Sequence, residues 1–135
     1  HGEGMPHLAI EYSANLEEKA DLDALCRAVH AAILKSGLFE VGAVRVRAFP
    51  ARHFAIADLK PENAFVDMSF RIGKGRGADD KKRAGEAIFA AASEVLAPLL
   101  ETPHFALSLE VREIDAELSW KKNAMHARLR ADGNK

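Results

Sequence analysis

Four short segments of the chain have the apolar patterns of strands, either a continuous run or an alternation with polar residues, and two longer segments carry apolar residues at helical spacing. Residues 7 to 13 form a short apolar run, and from Ala43 to Phe49 the side chains Val44, Val46 and Ala48 alternate with Arg45, Arg47 and Phe49. Both segments predict β-strands. A helix is predicted between them, with its N-cap at Asp21, a stop at Gly37 after Lys35, and apolar positions at Leu22, Leu25, Cys26, Val29 and Ile33.

The second half of the chain repeats this strand, helix, strand order. Residues 65 to 72 and 106 to 111 predict two further strands. Asp79 is predicted to cap the intervening helix, and Pro98 to kink or end it. The apolar side of this helix is predicted to carry Ala84, Ile88, Ala91, Ala92, Val95 and Leu99. The segment 50–63 has proline near both ends and weak periodicity, and it predicts a connection that returns the chain across the sheet.

Two such units, about 6–49 and 64–114, predict an α+β fold with a four-stranded mixed sheet and two helices on one face, because crossover connections are right-handed. The other sheet face is left bare, and we expect neighbouring subunits to bury it because its residues are not all polar. The alternative is a monomeric ferredoxin-like domain with one solvated sheet face. After the last strand, Trp120, Met125 and Leu129 form a small apolar set that favours packing on an adjacent surface.

Composition narrows the classes of function. The chain of 135 residues is one domain by length, with 48% hydrophobic and 29% charged residues. Nineteen basic and twenty acidic residues give a formal charge of −1, which argues against a nucleic-acid partner, so any cationic function must be local. We also expect no membrane partner, since no segment is long and apolar enough to span a bilayer. The lone Cys26 cannot form an internal disulfide, and a reducing cytoplasm is the expected location.

The residues around Met5-Pro6 carry the first candidate chemistry. Residues 1–4 have no apolar pattern and are interpreted as a tag remnant ahead of a single domain, 5–135, so that the mature protein is expected to start at Pro6 after methionine removal. A free amino-terminal proline is a secondary amine, and burial beside cations would lower its pKa towards neutrality. Pro6 would then be a general base that needs no cofactor. The alternative is a proline at a strand edge, where a missing N–H costs little.

Two arginines occur two apart on the predicted second strand, so Arg45 and Arg47 project from one sheet face. Their partly apolar setting favours bidentate recognition of a carboxylate, although solvated strand residues are the alternative. The Gly73–Ala78 segment satisfies a G-x-G-x-x-A dinucleotide pattern, which we reject because no complete doubly wound sheet fits in what remains. Helix-start N–H groups together with Arg76 still favour an anion there; a flexible surface turn is the alternative.

Other candidate residues receive more ordinary interpretations. The six histidines show no metal-ligand spacing, so no catalytic metal is predicted. Cys26 lies on the apolar stripe of the first helix and is predicted to be a buried thiol rather than a nucleophile. Glu11 faces away from Leu8 and Ile10 and is expected to form a salt bridge at a subunit interface, with a role in the site as the alternative.

Dispersed motifs resemble one known family. These are Met5 to Ser13 (MPHLAIEYS), 41–47, 64–68, 72–76, 107–110 and the tail 118–129. Together they resemble the tautomerase superfamily and, within it, the 5-carboxymethyl-2-hydroxymuconate isomerases. The resemblance implies a homotrimer with inward-facing sheets, Pro6 as the base, Arg45 and Arg76 as substrate-binding arginines with Arg47 as a near neighbour, and no cofactor. It also implies 5-carboxymethyl-2-hydroxymuconate, an intermediate of homoprotocatechuate catabolism, as substrate.

The predicted function is therefore cofactor-independent isomerisation of a small unsaturated keto acid. Pro6 moves the proton, while Arg45 and Arg76 hold substrate carboxylates and stabilise the developing dienolate; Arg47 is the reserve candidate. Two alternatives remain open: a tautomerase of another specificity, such as a phenylpyruvate-type enzyme, and a non-catalytic trimeric binding protein on the same fold.

Overall fold

The computed structural model describes residues 5–133, so the interpretation of residues 1–4 as a tag remnant falls outside it. The elements are β1 (His7–Ser13), α1 (Leu22–Lys35), β2 (Arg45–Ala51), β3 (Ala64–Gly73), α2 (Ala78–Val95), α3 (Ala97–Leu100), β4 (Phe105–Ile114) and α4 (Met125–Ala131). Two 3₁₀ turns, Ala14–Glu18 and Val41–Ala43, precede α1 and β2 respectively. The predicted strand, helix, strand repeat is confirmed.

The four strands form one mixed sheet in the order β2-β1-β3-β4. Within each unit the two strands are parallel, and the two units join through the antiparallel pair β1 and β3. Helices α1 and α2 pack against each other and against one sheet face. The core between helices and sheet holds fully buried side chains such as Ile10, Met68 and Phe70 from the strands and Val29 and Ile88 from the helices.

Residues at the helix ends explain where the helices begin and end. The Asp21 carboxylate accepts a hydrogen bond from the Ala24 amide at 2.9 Å, which confirms the predicted N-cap of α1. Gly37 adopts φ +74°, a left-handed conformation that ends the helix. The predicted cap at Asp79 is wrong: Gly77 is the N-cap of α2, and Asp79 lies in the first turn, where its charge favours the helix dipole without capping. Pro98 lies in the first turn of α3, beyond the end of α2.

The second sheet face carries no helix of this chain. As predicted, Val46 and Ala48 pack towards the core, whereas Arg47 and Phe49 face outward. Phe49 leaves 45% of its surface exposed. This face, which we call the open face, also carries His7 and Glu11 from β1. It is both charged and partly apolar.

The C-terminal segment folds back onto the first unit. The Asn123 side-chain amide donates to the Gly42 carbonyl at 2.7 Å, and Arg130 forms a bidentate ion pair with Glu40. A Cβ atom on Gly42 would lie 3.1 Å from the Leu129 side chain, so α4 sits close against this turn. Leu129 therefore packs on its own chain rather than on a neighbour, whereas Trp120 is 84% exposed.

Candidate active site

A cleft of about 990 Å³ opens where β1 begins and β3 ends. Its lining includes Met5 and His7 from the start of the chain, the acidic Asp115, and four basic residues: Arg71, Lys74, Arg76 and Lys121. The segment between β4 and α4 also borders it through Trp120. Basic side chains outnumber acidic ones in this lining, so the cleft favours an anionic ligand.

A second groove offers a contrast. It has a volume of about 830 Å³ and lies between α2 and β4, with Phe89, Leu109 and Val111 in its wall. Among the described residues that line it there is no arginine and no histidine. The groove lacks the groups that the predicted proton transfer needs.

Pro6 is fixed at the entrance to β1. Its side chain is buried, and its carbonyl accepts a hydrogen bond from the Arg45 amide at 3.2 Å. The residues on either side, Met5 and His7, both line the cleft. Met5 has φ +42°, a left-handed conformation that a non-glycine residue rarely adopts. Pro6 is not among the described residues that line the cleft but lies between two that are, and its nitrogen is an amide while Met5 precedes it.

His7 lies at the centre of a cross-strand row of cations on the open face. It pairs in register with Arg45 on β2 and with Arg71 on β3. The pKa of His7 is lowered to about 4, chiefly by burial and then by the charges of Arg71, Arg45 and Arg47 in that order. The imidazole is therefore uncharged at neutral pH.

The contact between His7 and Arg47 fixes the tautomer. Arg47 Nη1 lies 3.2 Å from His7 Nδ1, and a guanidinium only donates. Nδ1 therefore accepts, and the ring proton is on Nε2. The Nδ1 lone pair is engaged by Arg47, so it is not available to take a proton from a ligand.

Arg76 is held firmly by the first unit. Its Nη2 donates to the Leu38 carbonyl at 2.7 Å, and its guanidinium carbon lies 4.5 Å from the centre of the Phe39 ring. That ring meets Phe70 edge-on at 5.9 Å. The preceding Gly75 has φ +109°, which explains the glycine in this turn. Arg76 thus presents its charge to the cleft from a fixed position.

The sequence-predicted residues occupy two sides of the site. Arg76 lines the cleft itself, whereas Arg45 and Arg47 are not among the described residues that line it and flank His7 on the sheet side. The Arg45 guanidinium donates to the Ala43 carbonyl at 3.4 Å. Sequence analysis did not identify Arg71, which lies both in the row and in the cleft wall. The alternation of β3 placed it on the open face, but only the pairing with β1 places it beside His7.

Glu11 lies half-buried at the other end of the open face. It is opposite Asp67 in the antiparallel register, and Asp67 accepts a hydrogen bond from the Ser108 hydroxyl at 2.7 Å. Within residues 5–133 no cation is within salt-bridge distance of Glu11. The expected intersubunit salt bridge of Glu11 therefore stays a prediction.

The remaining candidates from the sequence are the Cys26 thiol and a metal site. Cys26 is half-buried against the core, and burial raises the pKa of its thiol, so it stays protonated at neutral pH. Residues 5–133 contain no cluster of three or more histidine, cysteine or acidic side chains arranged to hold a metal ion. No helix in this part of the chain is both long and apolar enough to cross a bilayer.

The duplicated unit and its mixed sheet define a tautomerase-type fold. A structure described as a fused 4-OT symmetric trimer superposes with a TM-score of 0.66, covering 86% of this chain and 93% of the other at 14% identity. At this identity the likeness concerns the fold alone.

Closer relatives give the family. The family model for 5-carboxymethyl-2-hydroxymuconate isomerase matches residues 6–129. The 5-carboxymethyl-2-hydroxymuconate Delta-isomerase of Escherichia coli is 34% identical over 123 residues, which are 91% of this chain and 98% of the relative. The crystal structure of a 5-carboxymethyl-2-hydroxymuconate isomerase from Deinococcus radiodurans has a TM-score of 0.88 at 36% identity and covers 95% of this chain and 96% of its own. The chain belongs to the 5-carboxymethyl-2-hydroxymuconate isomerase family, and it is an isomerase.

Proposed function

We propose that the protein isomerises 5-carboxymethyl-2-hydroxymuconate without a cofactor, with Pro6 as the general base once it is the first residue. The carrying observation is the position of Pro6, buried between two cleft residues and hydrogen-bonded to the strand of Arg45. The family match, which starts at Pro6, supports this role. The E. coli and D. radiodurans relatives carry the name of this activity.

The proposed proton transfer uses one base throughout. The free Pro6 amine removes a proton from the hydroxyl or from the carbon next to the carbonyl, and the electron pair moves into the conjugated system as a dienolate. The protonated amine then returns the proton to another carbon, which moves the double bond. His7 does not compete as a base, because its pKa is lowered to about 4 and Arg47 occupies its Nδ1.

Arginines supply the electrostatic part of the mechanism. Arg76 is fixed in the cleft wall by Leu38 and Phe39, so it binds a substrate carboxylate with little loss of side-chain freedom. Arg45, beside Pro6, is proposed to bind a second carboxylate or the developing oxyanion, with Arg47 in reserve. Preorganised cations at the place where negative charge develops lower the barrier more than they strengthen ground-state binding.

We also propose that the open face is buried in a homotrimer in the cytoplasm. The half-exposed Phe49 and the uncompensated Glu11 make a solvated face unfavourable. The fold neighbour solved as a trimer supports this arrangement. A free, half-buried cysteine fits a reducing compartment.

An ultraviolet assay tests the activity. The chain that starts at Pro6 should isomerise 5-carboxymethyl-2-hydroxymuconate, and Pro6→Ala, which keeps a primary amine, should lose much of this activity while remaining folded. Higher kcat/KM on phenylpyruvate would instead favour a tautomerase of another specificity. Absence of turnover on both substrates, from a folded protein whose first residue is confirmed by mass spectrometry, would favour a binding protein.

A further inference from the structure

One row of the open face concentrates positive charge that the described chain does not compensate. Arg45, His7 and Arg71 are neighbours across β2, β1 and β3. No carboxylate within residues 5–133 lies within salt-bridge distance of Arg45 or Arg71. Like charges close together on a sheet are destabilising. Because the chain keeps this row of like charges at its candidate site, we expect an anion that is not part of the chain to bind there.

The next residue in the same row behaves differently. Arg112 on β4 is opposite Arg71 in register, but its Nε is 3.2 Å from the Glu110 carboxylate. Similarly, Lys81 near this strand pairs with Glu113 at 2.9 Å. Arg112 on β4 and Lys81 on α2 therefore have carboxylate partners within the chain, whereas Arg71 has none among the described residues. Arg71 also lines the cleft that contains Arg76, so both guanidiniums border the same cavity.

We infer that Arg71 binds a substrate carboxylate remote from the reacting carbons and makes the enzyme prefer tricarboxylates to dicarboxylates. This inference rests on the proposed function. Arg76 and Arg45 are the proposed ligands of two carboxylates. Arg71 lies in the cleft wall with Arg76 and is the neighbour of His7 on the side opposite Arg45, so it adds a third guanidinium to the candidate site. A guanidinium binds a carboxylate through two parallel N–H groups.

His7 makes this subsite possible. Its ring separates Arg45 from Arg71 in the row, and a charged imidazole there would add a third positive charge between them. Because the imidazole accepts from Arg47 through Nδ1, its Nε2–H remains as a donor. The uncharged ring therefore spaces the two arginines and leaves the substrate as their counterion.

The test compares two substrates that differ by one carboxylate. In the chain that starts at Pro6, Arg71→Gln should lower kcat/KM for 5-carboxymethyl-2-hydroxymuconate by about 10- to 100-fold, the effect of one lost charge-assisted contact. The same variant should leave kcat/KM for 2-hydroxymuconate, which lacks the carboxymethyl group, within about twofold. Arg112→Gln is the matched control, since Arg112 lies in the same row but is paired, and it should change neither value.

An equal loss on both substrates, or no loss on the tricarboxylate, would overturn the inference. A binding measurement separates it from the proposed function. Calorimetry with tricarballylate and glutarate should show that Arg71→Gln weakens only tricarballylate binding, by about tenfold or more. If the parent protein turned over neither substrate, the isomerase proposal would fail, but selective loss of tricarballylate binding would still support the subsite. Unchanged tricarballylate affinity in Arg71→Gln would reject it.

Discussion

The two ends of the open face carry opposite charges, and at neither end are these charges compensated within the described chain. At the end where β1 begins, His7 is flanked by Arg45 and Arg71; at the other end Glu11 is opposite Asp67. Four residues along a strand separate His7 from Glu11 by about 13 Å, beyond the screening distance of about 10 Å at 0.1 M salt. The two clusters therefore do not neutralise each other. We interpret the cationic end as the place for substrate and the acidic end as the place for a neighbouring subunit.

The largest expected effect concerns the nitrogen at the cationic end. A chain that retains the residues before Pro6 has an amide there, whose lone pair is delocalised into the carbonyl. Its isomerase activity should be about 10²- to 10⁴-fold below that of the chain that starts at Pro6, the usual contribution of a general base. Comparable specific activity of the two proteins, with the extension verified by mass spectrometry, would remove Pro6 as the base.

Loss of a cation at the same end should have the next largest effect. Arg45→Ala and Arg76→Ala should each lower kcat by about 10²-fold, as for the loss of one group that stabilises developing charge. Arg76→Ala should also cost about 1 kcal/mol of stability because the contacts with Leu38 and Phe39 are lost.

Steady-state kinetics and urea unfolding separate these two effects. Arg83→Ala, which removes an exposed arginine paired with Asp80 on α2, is the control and should change neither. Full activity of both site variants on a tricarboxylate would contradict their assignment as anion ligands.

The acidic end should control assembly rather than chemistry. The protein should sediment as a trimer at micromolar concentration, and Glu11→Gln should weaken association by at least about tenfold if a partner's cation lies against it. The rate per assembled site should not change. Glu110→Gln is the control, because Glu110 already pairs with Arg112 within the chain. A monodisperse monomer of the parent protein would contradict the architecture of the assembly.

The smallest expected effect is a pH dependence of stability from His7. Its pKa is about 4 in the folded protein, against 6.5 for an unperturbed histidine. Between these values the unfolded chain binds a proton that the folded one does not, so the free energy of unfolding should fall as pH drops from 6.5 to 4 and then level off. With allowance for solvent screening we expect about 1 kcal/mol.

His7→Asn should remove this part of the slope, which urea unfolding at pH 7 and pH 4.5 would detect. Arg45, Arg47 and Arg71 are the charges that face the ring. Identical slopes for the parent and the variant would show that His7 titrates normally.

Hydrophobic periodicity is sufficient to predict most of the fold. Each predicted strand and long helix is present, because alternation and helical spacing report burial directly. The N-cap of α2 was predicted at Asp79 but is Gly77, because the two residues are close in sequence and both suit the start of a helix. The short helix α4 was not predicted as a helix: a segment of seven residues has too few turns for a clear period, and its contacts with Gly42 are set by the tertiary fold.

The site was predictable only in part. Strand alternation places Arg45 and Arg47 on one sheet face, and the glycine-rich turn places Arg76 at a helix start. Their roles as substrate ligands are what the family resemblance implies, and they stay predictions. Arg71 and the uncharged state of His7 were missed because alternation gives the face of a residue but not its neighbour on the next strand. That neighbour depends on the register between β1 and β3, which residues far apart in sequence determine together.

The attachment of the C-terminal segment to Gly42 has a consequence for protein synthesis. Gly42 belongs to the turn just before β2, and the residues that hold this turn, Asn123 and Leu129, are made after all four strands. During translation the sheet and both long helices leave the ribosome first, whereas the residues that support the turn before Arg45 follow only after them. A chain that stops before Asn123 would therefore retain the strands of the sheet but lack the contacts of Asn123 and Leu129 that hold the turn before Arg45.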